Sequence, residues 1–160
     1  MQIGFLTAAL RELELPEIVR WAGAEDFAAI EVACWPLDDP RRLNPAHLDV
    51  RRLDGPAARR LTEQLGEAGV QISALAYYEN HLHPDARERA ARHDHLRACI
   101  DAAAALGVPA VGTFIGRDTT GTVADSLRQA EDLFPGFVAT AGRAGVRIVI
   151  ENCLMSGWHP

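Results

Sequence analysis

The stretch that decides the fold is Gly145-Val146-Arg147-Ile148-Val149-Ile150-Glu151-Asn152-Cys153-Leu154-Met155-Ser156-Gly157-Trp158-His159-Pro160. A short β-branched run ends in a carboxylate and an amide, and a polar, aromatic segment follows. Buried parallel strands deliver functional groups at their C-terminal ends in this way. The chain is therefore expected to stop inside its own active site, as the N-terminal half of a larger domain.

The same punctuation recurs upstream. Gly69-Val70, Gly107-Val108 and Gly145-Val146 each close a helical pattern and open an apolar strand, at a constant interval of 38 residues. A fixed period of this size marks a repeated βα unit. Strand alternating with helix implies a parallel sheet with right-handed crossovers. The predicted strands are 2–7, 28–34, 70–76, 109–115 and 146 onward. Helices are expected from Pro16, with Glu17 in the positive first turn, from Asp54-Gly55-Pro56, and from Asp85 to Leu106. The helix bearing Leu127, Ala130 and Phe134 contains Pro135 and is expected in two pieces. Residues 35–54 carry Pro36, Pro40 and Pro45 and should be irregular.

Two architectures share this pattern: an open flavodoxin-like sheet and a (β/α)8 barrel. No helix follows the fifth strand, and Thr7-Ala8-Ala9-Leu10 after the first is not a Gly-rich phosphate loop. Polar groups sit at the ends of several strands rather than at one switch point. The expected fold is α/β, a parallel (β/α)8 TIM-barrel type. Roughly the first four βα units plus strand five would be present, with 1–160 as a single domain.

At 160 residues and 48% hydrophobic composition the chain can build one real core. Its net charge of −6 argues against a nucleic-acid surface, which needs a basic field. Cys34, Cys99 and Cys153 form no CxxC pair, so neither a zinc knuckle nor a redox dithiol is indicated. An odd cysteine count fits a reducing, cytoplasmic setting. The apolar run from Ile3 to Leu10 lacks a basic leader and a small-residue cleavage site. No apolar run approaches the ~20 residues of a membrane span.

Two acids lie within apolar strands, Glu31 and Glu151. A lone buried carboxylate neutralises, pairs or binds a cation. Glu151, at a strand end, is the stronger functional candidate; Glu31 divides evenly between function and a salt bridge. His81 and His83 alternate, so both would point the same way from an extended segment. His93 and His95 read as the exposed face of the long helix, and His159 falls after strand five. Trp35, Tyr77 and Tyr78 follow strand ends and could wall a sugar site or simply cover the core. Arg117 could hold a phosphate or carboxylate, or pair with Asp118 or Glu79.

Taken in order, Ile3-Gly4-Phe5, Ile30-Glu31-Val32, Asn80-His81-Leu82-His83-Pro84-Asp85, Leu106-Gly107-Val108-Pro109 with Gly112-Thr113-Phe114-Ile115-Gly116-Arg117-Asp118, and Gly145 through Cys153 form a familiar series. It resembles the sugar phosphate isomerase/epimerase group of xylose isomerase-like TIM barrels, over essentially the whole chain. The resemblance implies a divalent metal (Mn2+, Mg2+, Co2+ or Zn2+) at the C-terminal mouth and metal-assisted proton transfer next to a carbonyl, through an enediolate. Glu151 matches a glutamate that ligates the metal and moves a proton. Trp35, His83, Arg117 and Asn152 would bind a sugar or sugar phosphate. The remaining ligands would come from strands six to eight, so the chain alone is expected to be inactive. Two alternatives stay open: an endonuclease IV-like DNA repair enzyme, and a non-catalytic half-barrel that dimerises through its open sheet edges.

Overall fold

The computed structural model describes residues 3–38 and 45–151. Five strands and four helices alternate: β1 (Gly4–Leu6), α1 (Leu15–Ala24), β2 (Ala29–Ala33), α2 (Gly55–Ala68), β3 (Gln71–Tyr77), α3 (Ala86–Leu106), β4 (Ala110–Thr113), α4 (Val123–Arg143) and β5 (Arg147–Ile150). A 3-10 turn, Thr7–Ala9, follows β1. The sheet order is β1-β2-β3-β4-β5, and every neighbouring pair is parallel. Consecutive parallel strands in sequential order are the pattern of a (β/α) barrel wall, and a flavodoxin-like order with a switch point is not seen.

The glycine punctuation has a conformational cause. Gly69, Gly107 and Gly145 have φ of 68°, 67° and 72°, the left-handed turn that ends each helix where other residues are strained. Helix starts are fixed by side chains. Asp54 accepts from the Ala57 amide at 2.7 Å, and Asp85 accepts from Arg87 and Glu88. Thr122 and Asp125 form a reciprocal capping box at the start of α4. The expected break at Pro135 does not occur: α4 runs unbroken through it. Pro135 lies on the exposed face, as does Glu131 one turn earlier, where water can serve the carbonyl that loses its amide partner.

The sheet has two chemically different faces. Ile30, Val32, Leu75 and Val111 are buried in the main core with Leu96, Ile100 and Ala103 of α3. The other face carries Ala29, Glu31, Ala33 and Gly112 by strand alternation. A register shift lies between β2 and β3: Ile30 pairs with Ile72, but Glu31 pairs with Ala74. Ser73 is thus an extra residue, a β-bulge, whose hydroxyl donates to the Ile30 carbonyl at 3.2 Å. The bulge inverts the alternation beyond it. Leu75 and Tyr77 go to the helix side, and Tyr78 goes to the open face.

β1 and β5 are the sheet edges. Val149 and Ile150, on opposite faces of β5, are 44% and 45% exposed. Among the described residues no helix is long and apolar enough to cross a membrane.

Candidate active site at the C-terminal strand ends

The open face of the sheet brings together residues from four strands. Glu31 projects from β2, Tyr78 follows β3, Gly112 lies in β4 and Glu151 follows β5. The Tyr78 hydroxyl oxygen lies 2.6 Å from Glu31 Oε1 and 2.8 Å from Glu151 Oε1. Gly112 makes this approach possible. A Cβ there would lie 2.5 Å from the hydroxyl oxygen and 2.9 Å from Glu31 Oε1. The Tyr78 ring is set by neighbours: Phe114 at 4.7 Å and Trp35 at 6.2 Å between centroids. The Glu151 amide donates to the Thr113 carbonyl, continuing the β4–β5 ladder to the carboxylate.

One hydroxyl has one proton, and it can satisfy one carboxylate at a time. The second short oxygen–oxygen contact calls for a proton on a carboxyl group or a cation nearby. The electrostatics agree in direction. Burial raises the Glu31 carboxyl pKa, the Tyr78 hydrogen bond opposes that, and the Glu151 charge adds to it. Burial and both carboxylates push the Tyr78 phenol well above its ordinary value, so it stays a hydrogen-bond donor.

The other predicted residues separate. Trp35 is nearly fully buried, and its ring also lies against Tyr77 at 6.3 Å. Its indole Nε1 is enclosed without a hydrogen-bond partner. Arg117 is placed by its backbone: its amide donates to Asn80 Oδ1 and its carbonyl accepts from Asn80 Nδ2, both at 2.8 Å. Gly116 makes room for that clip, with φ of 85° and a would-be Cβ 2.0 Å from Asn80 Oδ1. Arg117 Nε is buried without a hydrogen-bond partner. The salt bridges weighed for it are not formed. Glu79 lies 3.5 Å from Arg92, and Asp118 accepts from the Thr120 amide and hydroxyl. His83 sits at the start of α3, where Nδ1 accepts from the Asp85 amide at 3.2 Å. It is not brought to Glu151. Asn152, Cys153 and His159 lie outside the described residues.

The histidines correct two expectations. His81 and His83 do not point the same way, because the segment turns instead of extending. His81 is fully buried on the helix side. Thr113 Oγ1 donates to the Tyr77 carbonyl at 2.8 Å, so it accepts from His81 Nε2 at 2.8 Å, and that fixes the tautomer. Burial, with help from His93 and Arg92, pushes the His81 pKa down to about 3, so the ring is neutral. Nor are His93 and His95 an exposed face. His93 Nε2 donates to the His81 carbonyl at 2.8 Å and His95 Nε2 to the Cys34 carbonyl at 2.6 Å. Their side of α3 faces the strand ends, so they tie loops to the helix.

Two participants escaped the sequence. The pairing of Glu31 with Tyr78 depends on the Ser73 bulge, for which the sequence holds only a weak signal, a serine interrupting an apolar run. His47 ties the segment after β2 to the turn after β1. Its Nδ1 lies 2.8 Å from Thr7 Oγ1, which itself accepts from the Ala33 amide. Among the described residues no group of three or more His, Cys, Asp or Glu is placed to hold a metal ion. The donors that do converge, two carboxylates and a phenol, are oxygens of the kind hard divalent cations take.

A sequential parallel sheet with helices between its strands is the wall of a barrel-type α/β protein, a fold that carries functional groups at the C-terminal strand ends. The chain belongs to the xylose isomerase-like TIM barrel family, whose sequence profile matches residues 19–160. Its fold is similar to D-psicose 3-epimerase solved in the presence of D-fructose, at TM-score 0.73 and 15% identity, over 99% of this chain and 55% of that one. It is similar to a D-tagatose 3-epimerase-like protein at TM-score 0.71 and 20% identity, over 98% and 55%. The IolI protein with a bound zinc atom is similar at TM-score 0.69 and 14% identity, over 94% and 51%. The chain spans about half the length of these structures. No curated protein sequence matches it.

Proposed function

We propose that the chain carries the N-terminal half of a sugar or sugar phosphate isomerase/epimerase site working by proton transfer next to a carbonyl. The observation that carries this reading is the convergence of Glu31, Tyr78 and Glu151 on one face of the sheet, at 2.6 and 2.8 Å. In this reading Glu151 is both the acid/base and one ligand of a divalent metal (Mn2+, Mg2+, Co2+ or Zn2+). The metal, when bound, would polarise neighbouring sugar oxygens and stabilise the negative charge that builds on them.

The chain's own residues have defined tasks. Glu151 takes a proton from one face of the carbon beside the carbonyl or returns it there, and a second glutamate, expected from strands six to eight, would serve the opposite face. Tyr78 would face the sugar and exclude water from it, and the buried Trp35, expected from the sequence to bind sugar, would act through the Tyr78 ring it backs. Arg117, held by the Asn80 clip, would meet a terminal phosphate or hydroxyl, with Asn152 and His83 as further contacts. His83 is the weakest of these, because its ring is engaged at the α3 terminus. Neither a membrane nor nucleic acid is a partner in this reading, and the setting is cytoplasmic.

One metal-ligating carboxylate does not hold a catalytic ion in a defined geometry. The 160-residue chain is therefore inactive alone in this reading, and its edge strands take further strands or a second copy. The test is Mn2+-dependent epimerisation of a ketose and ketose phosphate panel, by the chain alone and joined to strands six to eight. Activity should appear in the joined form and fall by at least ~100-fold in Glu151→Gln. Undiminished activity in that variant would overturn the assignment. Among the described residues, His81, His93 and His95 lend the endonuclease IV-like alternative no support, since they point to backbone or core groups.

A further inference from the structure

The geometry points to Tyr78 as a positioning residue: we infer that its hydroxyl, braced on Glu31, sets the direction in which Glu151 presents its carboxylate. Four observations converge on it. Glu151 is exposed and follows Val149 and Ile150, which are exposed on opposite faces at the end of β5, so its backbone neighbourhood leaves the side chain free to turn. Among the described residues the Tyr78 hydroxyl, 2.8 Å away, is the hydrogen-bonding side chain that meets it. That hydroxyl is itself fixed, by Glu31 at 2.6 Å and by Phe114 and Trp35 around the ring. Two devices in the backbone place it there. The Ser73 bulge turns Tyr78 to the open face, and Gly112 leaves the space beneath its hydroxyl.

The arrangement runs from a rigid part to a mobile one. Glu31 lies mid-strand in β2, paired on both sides, and serves as the anchor. Tyr78 spans two strands from the anchor to the mouth. Glu151 receives its orientation at the far end. A carboxylate that must meet a substrate carbon or a cation gains from being held before the ligand arrives, since the ordering cost is then already met by folding. Glu31 needs no contact with substrate for this, and neither does Tyr78.

The inference rests on reading Glu151 as the working carboxylate, but its test does not need activity. The full chain is labelled with 13C-glutamate, and the Glu151 carboxyl resonance is assigned by its loss in Glu151→Gln. In Tyr78→Phe the ring and its packing remain while the hydroxyl goes. The Glu151 resonance should move to the position of solvent-exposed glutamates, with averaged side-chain couplings. Gly112→Ala should do the same with the hydroxyl still present, because a Cβ at 2.5 Å displaces it. Glu31→Gln should give a smaller shift, and Tyr77→Phe none. An unchanged Glu151 resonance in both Tyr78→Phe and Gly112→Ala, each checked for folding by its amide spectrum, would overturn the inference. If these shifts appear but no sugar is turned over by the joined barrel, the positioning stands and the proposed function fails.

Discussion

The two faces of the sheet carry similar residue types and put them to opposite uses. On the helix side His81, His95, Arg92 and Glu79 are buried and His93 is half-buried, and each has a partner. Each histidine meets a backbone carbonyl or hydroxyl, and Arg92 reaches Glu79, Glu88 and the Asn80 carbonyl. On the open face two carboxylates share one hydroxyl. Buried polar groups in a finished network hold a structure together. A cluster with too few protons for its acceptors is poised for something to be added. The helix side is not complete, since His81 Nδ1 and Arg92 Nε are enclosed without a hydrogen-bond partner, but each of its histidines has one nitrogen engaged by a backbone or hydroxyl group.

The comparison breaks most readily at Arg92. It is 8% exposed beside Glu79 at 5%, with Nε 3.5 Å from the carboxylate but not aligned for a hydrogen bond. Arg92→Met should cost about 3–5 kcal/mol by removing one partner of a buried ion pair, read as a lower urea midpoint. A loss below ~1 kcal/mol would show that the helix-side network is not a structural one. His81 should add an acid sensitivity to the same face. Its depressed pKa contributes stability that is full above the ordinary histidine value and is lost as pH falls toward about 3. Unfolding free energies between pH 7 and 4 should fall less steeply in His81→Phe than in the wild type, by an amount on the order of a few kcal/mol over that range.

Gly116 tests the join between the faces. Alanine there meets Asn80 Oδ1 and a φ of 85°, and should cost about 2 kcal/mol while freeing the Arg117 loop to amide exchange. The smallest effect is expected on the open face. The Glu31 pKa is raised, so its contribution to stability is present below the ordinary carboxylate value and lost as pH rises through the raised one. Glu31→Gln should therefore stabilise the fold at pH 8 relative to pH 4, by under about 1 kcal/mol because the carboxyl is partly in water. A destabilised Glu31→Gln at pH 8 would mean that the charge pays its way through a partner not yet identified.

The sequence made the fold legible because its signals are local. Helix-ending glycines at a constant interval, Asp54 and Asp85 as caps and β-branched strands all act within a few residues. The course of α4 through Pro135 was not legible, since it depends on which face of the helix meets water. Glu151 was legible as a strand-end acid. Glu31 was undecided because its partner lies 47 residues away, across a bulge that shifts the alternation. The histidines misled because loop position says nothing of which side of the sheet a loop turns to.

We propose that the open face, and not the histidine face, attracts a divalent cation, weakly while strands six to eight are absent. Mn2+ titrated into the 15N-labelled chain should broaden amides around Glu31, Tyr78, Gly112 and Glu151 first, and Glu151→Gln should abolish the effect. Broadening centred on His81, His83 or His93, or broadening indifferent to Glu151→Gln, would contradict it.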